Sequence, residues 1–457
     1  MVANTNPQTQ ETHDLRKSSL KHNWMHVRSW IEMAEEGDPI IIKEGKGLTV
    51  VDTDGNEWMD VNGGYLCVNV GYGRTEIAEA VRDQINKISF TPRGTTTEPV
   101  AQLSKKLAEL TPGELERSWL STGGSEANET AIKLARQYHC ISGNTKKHRV
   151  ISRKISYHGG TLGALSATSF LDRTKVFEPL LLDFPKVNAA YPYRSDSEEL
   201  DLGLELAQEL EKTIKNEVPD TISAFIVEPV VGMAGGAIVP PSNYMKNVRE
   251  ICDKYDVLLI FDEIITGFGR TGKMFATEHW GVKPDITTVA KALTSGYLPI
   301  GAAIASKKIA SAFEGGDDQT FKHLITFGGN PASCAAGLAN LDIMENESMV
   351  QNSADMGDYL YNELQILYEH EIVGDIRGGM GLLAAIELVK DRESKEKFPS
   401  ESNFSETVTK IMQDHGILGR GGDTIPIAPP LCITKDEIDH FVAQLNSTLT
   451  QIESKIR

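Results

Sequence analysis

With 457 residues the chain is too long for one small core and suits two domains, or one large and one small. Lys and Arg number 46 against 64 Asp and Glu, a formal charge of −18 at pH 7 that argues against nucleic acid and anionic membranes as partners. The five cysteines (Cys67, Cys140, Cys252, Cys334, Cys432) are dispersed without CxxC spacing, which speaks against a disulfide framework or a zinc site, and no metal is expected.

Residues 1–17 are polar and expected to fray. The start carries no apolar leader and no later run nears the roughly 18 apolar residues of a membrane span, so a soluble cytoplasmic protein is expected. Residues 20–30 mix His22, Trp24, His26 and Trp30, either a lid over a site or an aromatic patch under a subunit contact; two histidines do not make a metal site. Residues 40–43 and 48–52 read as strands. With the Asp54-Gly55 turn and residues 57–60 they predict a small antiparallel sheet. Residues 63–70 lead out of it, and 75–88 have a helical period.

At 120–125 the sequence Leu-Ser-Thr-Gly-Gly-Ser precedes a run in which Ala127, Ala131, Leu134, Ala135 and Tyr138 repeat at helical spacing. Gly123, Gly124 and Ser125 at a helix start present free N–H groups and the positive end of the dipole to an anion such as phosphate, although Ser125 alone also suits a plain N-cap. Residues 149–155 are a strand candidate followed by Tyr157, His158, Gly159 and Gly160. Tyr157 is suited to cover a flat ring by offset stacking, and His158 to hold a backbone group or a carboxylate. The apolar run 221–227 closes on Glu228, which either orients a neighbour in a crevice or pairs with a buried Arg or His.

The stretch from Asp256 to Lys291 organises the rest. Residues 256–261 are an apolar run of strand length ending in Asp262-Glu263, so a carboxylate sits at a strand's carboxyl end, where open α/β sheets bind ligands. A second run, 285–290, is rich in β-branched residues and delivers Lys291 at its own end. A lysine and an aspartate facing one crevice are the minimum machinery for pyridoxal phosphate: an amine to hold the aldehyde and an anion to keep the pyridine nitrogen protonated. Between them, residues 267–273 match both GxGxxG and the first part of a P-loop. Met274 stands where a P-loop needs Ser or Thr for magnesium, and for the dinucleotide pattern residues 262–266 intervene between strand and glycines and a helix would have to open at Lys273, so neither nucleotide reading is favoured.

Further on come an apolar run at 298–305, an acidic loop at 314–318, residues 323–331 with Thr326, and a small-residue helix at 332–339. A helix is expected from Leu341 through Leu367, a turn and strand within 373–388, a strand pair within 420–434, and a closing amphipathic helix over 435–457. Strand runs at 149, 221, 256 and 285 with helical stretches between them predict an α/β fold: a mostly parallel sheet covered on both faces, with a smaller α+β domain built from both termini. The expected division is 1–69, 70–335 and 336–457.

Several segments together carry a resemblance along nearly the whole chain: residues 123–129, 157–159, 228–230, 261–263, 266–272, 290–299 and 428–434. With them the chain resembles the class III aminotransferases of the type I pyridoxal-phosphate fold. The resemblance implies Lys291 as the Schiff-base lysine, Asp262 at the pyridine nitrogen, Tyr157 on the ring, Gly124 and Ser125 on the phosphate, and Glu228 and Ile264 beside the cofactor. It also implies Thr326 reaching the phosphate of a neighbouring subunit, hence a homodimer with shared sites, which leaves room for a dimer of dimers. Residues 68–74 look like the branch that takes ω-amino acids, taurine or amines as donors and pyruvate as acceptor. Arg420 is similar to that branch's movable arginine, although the run to Asp423 is one residue shorter than its pattern; Trp24, Leu66 and Phe90 are the other substrate-side candidates.

The reaction expected is transfer of an amino group from such a donor to pyruvate or another 2-oxo acid, with the Lys291 amine moving the proton. Rival readings are a decarboxylase or aminomutase on the same cofactor, a P-loop-like nucleotide hydrolase, and a non-catalytic scaffold.

Overall fold

The computed structural model describes residues 8–26, 29–36, 39–92, 94–399 and 403–456. In chain order its strands are β1 (Ile42–Lys46), β2 (Thr49–Asp52), β3 (Glu57–Asp60), β4 (Leu115–Ser121), β5 (Arg149–Arg153), β6 (Lys186–Val187), β7 (Ile222–Val227), β8 (Leu258–Asp262), β9 (Ile286–Val289), β10 (Gly301–Ser306), β11 (Val373–Arg377), β12 (Ala384–Leu388), β13 (Ile417–Leu418) and β14 (Thr424–Ile427).

The central sheet has the order β4-β10-β9-β8-β7-β5-β6. From β6 to β9 all neighbours are parallel, whereas β10 runs antiparallel to both β9 and β4. β7, β8 and β9 are buried at every position because helices cover both faces. The strand alternation divides their side chains: Phe225, Val227, Leu259 and Phe261 pack with the helices Glu199–Asn216 and Tyr244–Lys254, while Ala224, Ile226, Leu258 and Ile260 pack with Gly124–Ile141. By the same alternation Asp262 falls on the side of Gly124–Ile141.

Two smaller sheets flank it. One has the order β1-β2-β3-β13, antiparallel except that β13 adds parallel to β3, which brings an N-terminal and a C-terminal segment into one sheet. The other is the antiparallel β11-β12-β14. Among the described residues no helix is long and apolar enough to cross a membrane, and no group of three His, Cys, Asp or Glu is placed to hold a metal ion.

Several expectations need correcting. Residues 1–7 of the expected frayed start lie outside the described residues, but Gln10–His22 is a helix capped by the Thr9 side chain, and its Thr12 hydroxyl bonds Asp54 at 2.6 Å. Of the aromatic segment 20–30, Val27 and Arg28 lie outside the described residues, as does Arg457 of the last helix. β4 had no counterpart in the reading, since its one partner leaves Glu116 and Arg117 exposed and breaks the apolar run. The long helix expected to end at Leu367 is two helices, Pro331–Asn346 and Met349–Leu364, divided where Ser348 takes a left-handed φ of 50°. The expected strand pair near the C-terminus is β14 alone, because Pro429 and Pro430 have no N–H to offer a ladder.

Candidate active site

β8 and β9 are neighbours, and both end at a cavity of about 420 Å³. Asp262 closes β8. Its Oδ2 accepts from His158 Nδ1 at 2.7 Å and from Asn128 Nδ2 at 2.8 Å, and its Oδ1 from the Ile264 N–H at 3.1 Å. Asp262 and His158 are 3% and 1% exposed, so the carboxylate is held among donors rather than by bulk water. His158 Nε2, buried at the cavity wall, has no hydrogen-bond partner among the described residues.

Lys291 follows β9 through a sharp turn. Its own φ is 36°, a conformation that costs energy in any residue but glycine and that the surrounding core must impose. The side chain opens on the same cavity, and Nζ donates to the Tyr65 carbonyl at 2.9 Å. That carbonyl belongs to the turn Gly63–Leu66, whose residues have left-handed φ values and which also carries Cys67 to the cavity wall. Burial lowers the affinity of Lys291 for its proton, against the pull of the Cys67 thiol, Asp262 and Glu228. A lysine so disposed has a larger neutral, nucleophilic fraction than an exposed one.

The anion end is built at the start of Gly124–Ile141. The N-cap is Gly123, not Ser125, so Gly124 and Ser125 offer first-turn N–H groups to whatever lies beyond. Ser125 Oγ accepts the Gly160 N–H at 3.0 Å, which leaves its own proton available. Glycine is required here by space. A Cβ on Gly159, at φ 139°, would stand 2.5 Å from Ser125 Oγ, and one on Gly124 would stand 2.8 Å from Ile264 Cδ1. Glu126 closes the turn by accepting from the Thr122 N–H at 2.9 Å.

Glu228 settles between its two readings. Its Oε1 accepts the Tyr157 N–H and its Oε2 the Gly232 N–H, each at 3.0 Å, while the buried Arg153 bonds its backbone carbonyl and not its carboxylate. Glu228 therefore orients the backbone of Tyr157. Burial pushes its carboxyl up from the ordinary range.

Lys291, Asp262, Tyr157, Gly124, Ser125, Glu228 and Ile264 thus line one cavity. The substrate-side candidates lie off it. Leu66 is buried in a cluster with Val230, Ile265 and Leu383; Arg420 lies over the Phe170 ring at 5.5 Å with Nη1 3.7 Å from Met233 Sδ; Phe90 meets Phe327 edge-on at 6.0 Å. Trp24 is 96% exposed, and Thr326 is exposed.

Sequence reasoning passed over Asn128, Thr288, Cys67 and the Tyr65 carbonyl. Asn128 had a signal: it stands one helical turn after Gly124 and Ser125, on their face. The Gly-rich decoy has another use altogether. None of its residues lines the cavity; Arg270, fully buried, donates to the carbonyls of Leu382 at 2.8 Å and Pro429 at 2.6 Å and to Asn69 Oδ1 at 2.7 Å, clamping the C-terminal segment onto the central body.

A buried carboxylate, an amine with a weakened hold on its proton, and a glycine-cradled helix start around one cavity suit a flat cationic ring bearing an aldehyde and a phosphate. The residues present fit pyridoxal phosphate.

The family model described as Aminotransferase class-III matches residues 32–449. A taurine–pyruvate aminotransferase of Bilophila wadsworthia is 38% identical over 95% of this chain and 96% of its own. Among solved structures, a thermostable (S)-enantioselective omega-transaminase from Thermomicrobium roseum is 38% identical, with a TM-score of 0.93 over 98% of this chain and 100% of that one. The omega-transaminase from Pseudomonas jessenii, solved in complex with PMP, is 33% identical, with a TM-score of 0.92 over 96% and 98%.

Proposed function

The chain belongs to the class III aminotransferases, and from that premise we propose that it moves an amino group from an ω-amino acid, a taurine-like donor or a primary amine to pyruvate or another 2-oxo acid. The observation that carries the reading is the meeting of Lys291 and Asp262, from adjacent parallel strands, at one cavity whose far wall is the glycine-cradled start of Gly124–Ile141. The taurine–pyruvate relative supports the finer choice of donor and acceptor class.

Pyridoxal phosphate, held by Lys291, supplies an electron sink that lets a carbon–hydrogen bond beside the amino nitrogen break heterolytically. The protein's part is positional and electrostatic. Gly124 and Ser125 bind the phosphate through first-turn N–H groups and the Ser125 hydroxyl. Asp262 places a negative charge opposite the ring nitrogen, and Tyr157, its backbone fixed by Glu228, covers a ring face. Lys291 Nζ, with its proton affinity lowered by burial, would take the proton from the substrate carbon and return it two bonds away, on the far side of the amino nitrogen. Arg420 pairs with the carboxylate of the acceptor when its side chain leaves Phe170.

The same reading includes a second copy of this chain. Thr326 lies between Leu324 and Phe327, which are 71% and 60% exposed, an apolar surface suited to being covered by a partner whose phosphate site Thr326 would complete. It also includes a division at residues 69 and 335, and a cytoplasmic location, on the strength of five free cysteines. The test is a donor panel of taurine, β-alanine and primary amines, with pyruvate and 2-oxoglutarate as acceptors, followed in the visible spectrum. Amine-dependent bleaching reversed by a 2-oxo acid is expected; a spectrum indifferent to every amine overturns the proposal.

A further inference from the structure

Thr288 and Asp262 are Cα partners in the parallel β8–β9 pair, so strand alternation puts both side chains on the sheet face covered by Gly124–Ile141. Asn128 descends from that helix between them. Its Nδ2 donates to Asp262 Oδ2 at 2.8 Å and to the His158 carbonyl at 2.7 Å, which uses both of its N–H groups, while its Oδ1 accepts from the Thr288 hydroxyl at 2.7 Å. Asn128 and Thr288 have no exposed surface.

An asparagine amide is nearly symmetric in shape, and its two ends differ in chemistry alone. Turned over, it would set Oδ1 against the buried carboxylate of Asp262 and leave that carboxylate one donor short. Asp262 Oδ2 and the His158 carbonyl, which can only accept, set which end of the amide faces them, and the Thr288 hydroxyl then satisfies Oδ1, which would otherwise be buried without a donor among the described residues. With Oδ2 of Asp262 thus taken by Asn128 and His158, Oδ1 carries only the Ile264 N–H among the described residues and has acceptor capacity to spare for a ligand's positive charge.

We infer that Thr288 is a positioning residue for Asp262: by satisfying the Oδ1 end of the Asn128 amide, its hydroxyl anchors the donor that orients the carboxylate facing the cofactor's ring nitrogen. This rests on the function proposed above. The ionisable groups around Asp262 are His158, Glu228, Glu263 and Lys291, and the Thr288 hydroxyl bonds none of them, its partner being Asn128. Thr288→Val keeps the β-branched shape the strand packs around and removes the donor.

The experiment compares wild type, Thr288→Val, Thr288→Ala and Thr288→Ser as purified holoenzymes, reading kcat, KM and the pH titration of the bound cofactor's visible absorbance. Thr288→Val and Thr288→Ala should each lower kcat about tenfold with KM changed less than about twofold, and shift the absorbance titration. Thr288→Ser, which restores a hydroxyl with less bulk, should recover both. A wild-type titration in either variant that lacks the donor overturns the inference. So does a Thr288→Ser enzyme no better than Thr288→Ala, which would assign the loss to packing. The underlying function fails separately, if Lys291→Ala retains transamination, whatever the 288 variants do.

Discussion

His158 Nδ1 stands 2.7 Å from Asp262 Oδ2 with both side chains buried, so the carboxylate that ends β8 is held by a ring nitrogen and an amide rather than set in an apolar wall. An ion pair at about 4 Å in an effective dielectric near 20 is worth roughly 4 kcal/mol. At about 1.36 kcal/mol per decade, that is close to three decades of rate. Asp262→Asn should therefore keep cofactor binding and lose roughly three decades of kcat; normal turnover would remove Asp262 from the ring nitrogen.

Arg420, resting on Phe170, is held below the usual proton affinity of a guanidinium by burial and by the nearby Arg173. An exposed cation–ring contact is worth only about 0.5–1 kcal/mol, and a carboxylate offers a bidentate partner. Arg420→Ala should raise KM for pyruvate about tenfold and that for a neutral amine less than about twofold in steady-state assays. Equal rises would take Arg420 out of the acceptor site.

Arg270 is a structural cation. Burial lowers its proton affinity to about 9, and its three hydrogen bonds go to groups that Arg270→Met would leave buried and unpaired. A loss of about 3 kcal/mol is expected in the urea unfolding free energy. An unchanged midpoint would show that the clamp is redundant.

Lys186 sets a pH dependence of stability. Burial lowers its ammonium to about 8, and Ser152 Oγ at 2.8 Å and the Ser166 carbonyl are its partners. Unfolded, the same ammonium keeps its proton to about 10.4. Between these two values the unfolded chain binds more protons than the folded one, so stability contributed by this residue rises with pH from about 8 to about 10.4 and is flat below. Lys186→Met should flatten that rise in thermal melts taken across the window; an identical slope in the variant would reject the assignment.

What could be read in advance follows from how the sheet is covered. β7, β8 and β9 are buried on both faces and stand out as apolar runs, and the meeting of the residues at their carboxyl ends, Glu228, Asp262 and Lys291, at one cavity was legible. β4, an edge strand with exposed Glu116 and Arg117, had no such contrast. Thr288 was silent because a β-branched residue in a strand needs no functional reason, and its hydroxyl becomes meaningful only once Asn128 is beside it. Arg270 was hidden inside a glycine pattern that imitates a nucleotide loop, and only its buried contacts with Leu382 and Pro429 reveal a clamp.

The account depends on a bond between the Lys291 nitrogen and the cofactor's aldehyde carbon. Borohydride treatment of the protein loaded with pyridoxal phosphate, followed by peptide mass mapping, should find the reduced adduct on Lys291 and find none in Lys291→Ala. A colourless protein after loading, or an adduct mapped to a different lysine, would contradict it.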